Sequence, residues 1–226
     1  MEKKKAVLHI KREADFHYDE AIKALRTNIQ FTGKNVKTIL LTSCYPNEGK
    51  SDIAMQLAQE IGKAGKRVLL IDADLRKSAY VMRYKVKQKV KGLSEFLSGQ
   101  ASENEIRYFT NFQNVDIIFS GPSAPNPSEL LEDPAFGELM KKVRMEYDFV
   151  LLDTPPIMTV IDAAVIAKES DGAILVVESG RVSYKAAQKA LEQLRKSECK
   201  VLGAVLNKVD IKRDKYYSDY SSYYGR

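Results

Sequence analysis

The 226-residue chain holds only two histidines and two cysteines, and these shortages exclude several chemistries. His9 and His17 both fall within the first 17 positions, which leaves no set for a His-based metal cage or a Ser-His-Asp triad. Cys44 and Cys199 stand far apart without metal-ligand spacing, a pattern of a reducing compartment and not of a disulfide framework. No apolar run approaches the ~18 residues of a membrane helix. The first residues, MEKKKAVLHIKRE, carry charge, but His9 and Lys11 interrupt their apolar stretch, so they cannot form the core of a secretory signal. The cytoplasm is the expected compartment, and there is no internal repeat.

What is present is a core-forming composition. Hydrophobic residues make up 44% and charged residues 29%, enough for one domain with a sizeable core and a solvated surface. The formal charge is +6, and the run Arg76–Lys91 (RKSAYVMRYKVKQKVK) contains no acidic residue. Such a run suits anionic lipid, nucleic acid or an acidic partner, or it is a solvated face beside a phosphate site. The solvated face is the expectation, with no nucleic-acid partner.

Residues 17–31 place apolar side chains at helical spacing, which predicts an amphipathic first helix. Short apolar runs follow at Thr38–Thr42, Val68–Ile71, Val115–Phe119, Phe149–Leu152, Ala173–Val177 and Val201–Leu206. Helix-length stretches separate most of them, notably 50–65, 133–146, 159–169 and 183–197. Continuous apolar strands alternating with helices predict an α/β fold with a doubly wound, mostly parallel sheet flanked by helices. Residues 121–134 (GPSAPNPSELLEDP) read as a loop entering a short helix. The expected organisation is a domain over 1–210 and a flexible tail over 211–226. That tail, IKRDKYYSDYSSYYGR, has no aliphatic residue after its first and cannot build a core, so it is expected to be disordered.

In such sheets the chemistry lies beyond the carboxyl ends of the strands. The first of these strands runs into Ser43-Cys44-Tyr45-Pro46-Asn47-Glu48-Gly49-Lys50-Ser51 and then a helix. A Gly-Lys-Ser at that junction supplies backbone N–H groups around a polyphosphate, an ammonium for its β and γ phosphates and a hydroxyl for Mg²⁺. The full G-x-x-x-x-G-K-[ST] pattern fails at its first position, where Cys44 stands. Two further strands end in Asp72-Ala73-Asp74 and in Asp153. Buried carboxylates are unfavourable unless paired or metal-bound, and Mg²⁺ held by one or two carboxylates plus phosphate oxygens gives them a reason.

SCYPNEGKS, VLLIDADLR and FVLLDTPP, in this order, resemble the Walker A, A′ and B motifs of the bacterial tyrosine kinases of capsule and exopolysaccharide operons. The resemblance covers nearly the whole chain. It includes the subunit-contact motif E-x-x-R-x-x-R, matched by Glu20 and Arg26 with Lys23 at the middle position. It also includes a C-terminal cluster of Tyr216, Tyr217, Tyr220, Tyr223 and Tyr224, five of the 12 tyrosines within the last 11 residues. The resemblance implies a P-loop NTPase fold of MinD/ParA type and an ATP-dependent kinase that phosphorylates this cluster. It implies that Pro46, Asn47, Glu48, Gly49, Lys50, Ser51, Asp52 and Asn207 bind nucleotide, that Ser51, Asp74 and Asp153 hold Mg²⁺, and that Lys50, Asp72 and Asp74 are catalytic, with Asp72 as the base. It also implies a ring-like homo-oligomer, a separate membrane-bound activator or polysaccharide co-polymerase that recruits the kinase to the inner face of the membrane, and a protein-tyrosine phosphatase.

Two departures stand out: Asn47 replaces a Gly, and Asp52 brings a negative charge to the start of the phosphate-binding helix. A MinD/ParA-like switch ATPase is the alternative, but those families carry a Lys where Tyr45 stands and lack the tyrosine tail. Asn207-Lys208-Val209-Asp210 matches the guanine motif N-K-x-D of GTPases, whereas Asp153-Thr154-Pro155-Pro156 replaces their D-x-x-G. A non-catalytic assembly module is the third alternative.

Overall fold

The computed structural model of the chain describes residues 4–10, 15–33, 35–78 and 80–210; the tyrosine cluster therefore lies outside the described residues. In chain order the elements are β1 (Lys5–Ala6), α1 (Phe16–Phe31), β2 (Thr38–Ser43), α2 (Lys50–Lys63), β3 (Val68–Asp72), α3 (Tyr80–Arg83), α4 (Leu93–Leu97), α5 (Glu103–Ile106), β4 (Arg107–Thr110), β5 (Val115–Ile118), α6 (Pro127–Glu132), α7 (Pro134–Glu146), β6 (Phe149–Asp153), α8 (Asp162–Ala167), β7 (Gly172–Glu178), α9 (Tyr184–Lys196) and β8 (Val201–Asn207). The strands form one eight-stranded sheet in the order β1-β4-β5-β3-β6-β2-β7-β8. Every neighbouring pair is parallel except β4 with β5.

The central strands are apolar throughout because each faces two cores. Leu40, Leu69, Ile71, Val150 and Leu152 share one layer with Phe136, Leu139 and Val143 of α7 and with Ala190 and Leu194 of α9. Ile39, Leu41, Leu70 and Leu151 point the other way, into a layer with Ile22 and Ile29 of α1 and Ile53, Leu57 and Ile61 of α2. Side chains alternate across a strand, so both sets must be apolar. Burying each such side chain stabilises the fold by roughly 1.5–3 kcal/mol.

Helix boundaries follow local chemistry. The Asp15 carboxylate accepts the Tyr18 N–H at 3.2 Å and starts α1; Asp133 caps α7, with Pro134 in its first turn; Ser183 caps α9. The segment expected to be helical over 159–169 begins its helix only at Asp162. β1 and β4 give no continuous apolar run, since one spans two residues and the other, RYFT, is only partly buried. The order places β3, β6 and β2 side by side, so the three motifs meet at one end of the sheet.

Candidate active site

Beyond Ser43 the chain turns through the exposed tip Tyr45–Asn47 and enters α2. Two residues take the left-handed backbone that this turn requires: Asn47 with φ of 68° and Gly49 with φ of 89°. Asn tolerates that region better than most residues. Gly49 is constrained twice, because a Cβ there would stand 2.2 Å from the Asn207 amide nitrogen. No side chain caps α2, which leaves its first-turn N–H groups and the positive end of its dipole for an anion.

Glu48 fixes this loop from behind. Its carboxylate is buried, with 1% of the residue exposed. Oε1 accepts the Tyr45 N–H at 2.5 Å and Oε2 accepts the Glu178 N–H, at the end of β7, at 3.1 Å. Asn207 Nδ2 donates to the Glu48 carbonyl at 2.8 Å. Lys208 Nζ donates to the Asn47 carbonyl at 2.7 Å and to the Glu178 carboxylate at 3.0 Å. Burial raises the Glu48 pKa against the lowering effect of the two backbone donors.

The carboxylates come from adjacent strands. Asp72 ends β3 directly opposite Asp153, which ends β6, and both are almost fully buried. Lys50 Nζ stands 3.7 Å from Asp153 Oδ1 and 4.0 Å from Asp74 Oδ2. Burial pushes the Asp72 carboxyl up to about 7; the charges of Asp153 and Asp74 add to this, while the Ser78 hydroxyl and Lys50 oppose it. Ser78 Oγ donates to Asp72 Oδ2. Burial likewise raises Asp153, against Lys50, Ser51 and Tyr80. Asp74 Oδ1 accepts the N–H groups of Arg76 and Lys77 at 3.2 and 2.9 Å, an Asx turn that fixes its carboxylate.

Asp153 Oδ1 is buried without a hydrogen-bond partner. A group left this way carries a desolvation cost, and a divalent cation would remove it. Among the described residues no group of three His, Cys, Asp or Glu side chains is placed to hold a metal ion by itself. That scarcity fits Mg²⁺, which a hydroxyl, one or two carboxylates, nucleotide phosphates and water satisfy.

An AAA domain family model matches residues 36–205. Tyrosine-protein kinase CpsD of Streptococcus agalactiae is 40% identical over 205 residues, covering 91% of this chain and 89% of its own. Tyrosine-protein kinase YwqD of Bacillus subtilis is 38% identical over 205 residues, covering 90% and 86%. The chain belongs to the bacterial tyrosine kinases. Among solved structures, the kinase domain of Escherichia coli tyrosine kinase ETK superposes with a TM-score of 0.81 at 29% identity, covering 90% of this chain and 89% of that domain.

In this tyrosine kinase the structure brings together Asn47, Glu48, Gly49, Lys50, Ser51, Asp72, Asp74, Asp153 and Asn207. Asp52 is drawn elsewhere: its carboxylate pairs with Arg83 at 2.7 Å and accepts from Tyr84 at 3.4 Å, so its charge at the helix start is compensated. Asn207, expected to bind nucleotide, has its amide nitrogen on the phosphate loop. Arg76 forms a two-bonded ion pair with the fully buried Asp162, at 2.8 and 2.9 Å. Glu20 and Lys23 of α1 pair with each other at 2.7 Å on an exposed face, while the Nε of the half-buried Arg26 has no hydrogen-bond partner. Residues that sequence reasoning missed are Ser78, Tyr80, Arg83 and Lys208. Tyr80 is 1% exposed, and its hydroxyl donates to the Ser51 carbonyl at 3.1 Å; the signal for it, one aromatic inside a basic run, is weak.

Proposed function

We propose that the protein transfers the γ-phosphoryl group of ATP to the tyrosines of its C-terminal cluster on a neighbouring copy. The observation that carries this reading is Lys50 held between Asp153 and Asp74, with Asp72 in register beside Asp153, behind an uncapped helix start. Lys50 and the loop amides of residues 46–51 bind the β and γ phosphates. Ser51, Asp74 and Asp153 would hold Mg²⁺, which would neutralise phosphate charge. Asp72 accepts the proton of the attacking tyrosine hydroxyl, whose ordinary pKa is near ~10. The oxygen–phosphorus bond to tyrosine forms as the bond to the ADP leaving group breaks.

The working division is a kinase domain over 1–210 and a substrate tail over 211–226, carrying Tyr216, Tyr217, Tyr220, Tyr223 and Tyr224. Sixteen residues reach about 50 Å when extended, enough for a neighbour's site. The exposed Glu20 and Lys23 of α1, with Arg26 three residues on, support a subunit contact through this helix in a ring-like homo-oligomer. The cellular role is regulation of capsular or exopolysaccharide synthesis and export, with a membrane-bound activator recruiting the kinase to the inner face of the membrane and a tyrosine phosphatase resetting the tail. The test mixes a Lys50→Met chain that keeps its tail with an active chain truncated after Asp210. Phosphotyrosine on the inactive chain is expected; its absence would overturn transfer between copies.

A further inference from the structure

The basic run Arg76–Lys91 is partly absorbed by the fold. Arg76 is held by Asp162, Arg83 by Asp52, and Lys91 by Glu105 at 2.6 Å. What remains is a row of lysines that no carboxylate among the described residues neutralises. Residues 84–88 run antiparallel beside β1: the His9 N–H donates to the Tyr84 carbonyl at 2.9 Å, and the Gln88 amide donates to the Lys5 carbonyl. Tyr84 and Val86 turn inward and are buried, so Lys85, Lys87 and Lys89 turn outward and are exposed. Lys4 and Lys5 are exposed on the adjoining strand. No Asp or Glu occurs between Asp74 and Glu95. Among the described residues no carboxylate pairs with Lys5, Lys85, Lys87 or Lys89.

Two apolar side chains lie in this cationic surface. Met82 is 83% exposed one turn before Lys85, whose N–H donates to the Met82 carbonyl at 3.3 Å. Val7 is 42% exposed and shares the outward side of the β1 segment with Lys5 by strand alternation. Like charges left unpaired around exposed apolar side chains are unfavourable in water and favourable against a surface that is anionic outside and apolar beneath. The charges are lysines, hydrated points on flexible stems, which suit a diffuse negative field better than the fixed fork geometry of arginine recognition. We propose that this face docks the protein directly on an anionic bilayer surface, the lysines over the headgroups and Met82 and Val7 at their boundary with the acyl chains. It is a contact of the kinase's own, additional to any partner that recruits it.

The experiment is co-sedimentation of the full chain with vesicles of phosphatidylcholine alone or mixed with phosphatidylglycerol, at low and physiological salt. Binding is expected to the phosphatidylglycerol vesicles only and to weaken as salt rises. Lys85→Glu/Lys87→Glu/Lys89→Glu should reduce it at least about tenfold, given roughly fivefold for each basic residue near such a surface. The neutral triple Gln variant should fall between, and Met82→Asp should weaken binding at high salt, where the apolar contact dominates. These side chains are solvent-facing, so circular dichroism should be unchanged. Failure of the natural chain to bind at low salt, or equal binding by the triple Glu variant, would overturn the proposal. So would preference for polyglutamate-coated beads over matched anionic vesicles, which would assign the face to an acidic protein.

Discussion

At the scale of single residues, Asp72 sets the pH behaviour. Its carboxyl is pushed up to about 7 by burial, reinforced by Asp153, whereas an unfolded carboxyl titrates near about 3.9. The folded chain thus retains a proton through a window in which the unfolded chain has lost it. Stability from this group is fully present below about pH 4 and is lost as pH rises through about 7. Asp72→Asn, which cannot ionise, should raise the thermal midpoint at pH 8 by more than at pH 4; a lowered midpoint at pH 8 would contradict the burial account. The proposed base Asp72 works ionised, so tyrosine phosphorylation by the natural protein should rise with pH as this carboxyl loses its proton. The same Asn substitution should cut kcat by roughly 10²–10⁴ while calorimetry still shows nucleotide binding. Lys50→Met should abolish transfer without unfolding, since its ammonium faces Asp74 and Asp153 and not the core.

At the scale of elements, the phosphate loop is held by the ends of β7 and β8. Glu48→Ala would leave the Tyr45 and Glu178 N–H groups without their acceptor, about 1–3 kcal/mol each; nucleotide affinity should fall by roughly tenfold or more. Glu48→Gln, which keeps an acceptor oxygen, should recover much of that loss, and equal affinities for the two variants would contradict the brace. This arrangement was only half legible in the sequence. Strands buried on both faces, such as Val68–Asp72, announce themselves as apolar runs, and their terminal carboxylates mark the site. The partners of Glu48 lie about 130 and 160 positions away, and nothing in a linear pattern reports such a bond. Asn207-Lys208 illustrates the point: read alone it resembles a guanine motif, yet both side chains hold the loop at Glu48 and Asn47. β4 escaped because a short, half-polar strand, antiparallel to β5, has neither continuous apolarity nor clean alternation.

At the scale of the whole molecule, a doubly wound sheet gathers a lysine, three aspartates and an uncapped helix start at one end, and α1 presents Glu20 and Lys23 on an exposed face. Each phosphate added to the tail brings about −1.5 to −2 charges, which Asp72, Asp74 and Asp153 repel. Light scattering should therefore show a smaller assembly after ATP addition; an unchanged mass would separate phosphorylation from assembly. The central claim is that this chemistry ends on the chain's own tyrosines, and it is tested most directly by incubating the purified protein with Mg·ATP and mapping phosphate by mass spectrometry. The account predicts phosphotyrosine among Tyr216, Tyr217, Tyr220, Tyr223 and Tyr224 in the natural protein and none in Lys50→Met; ADP released with those five tyrosines unmodified would contradict it.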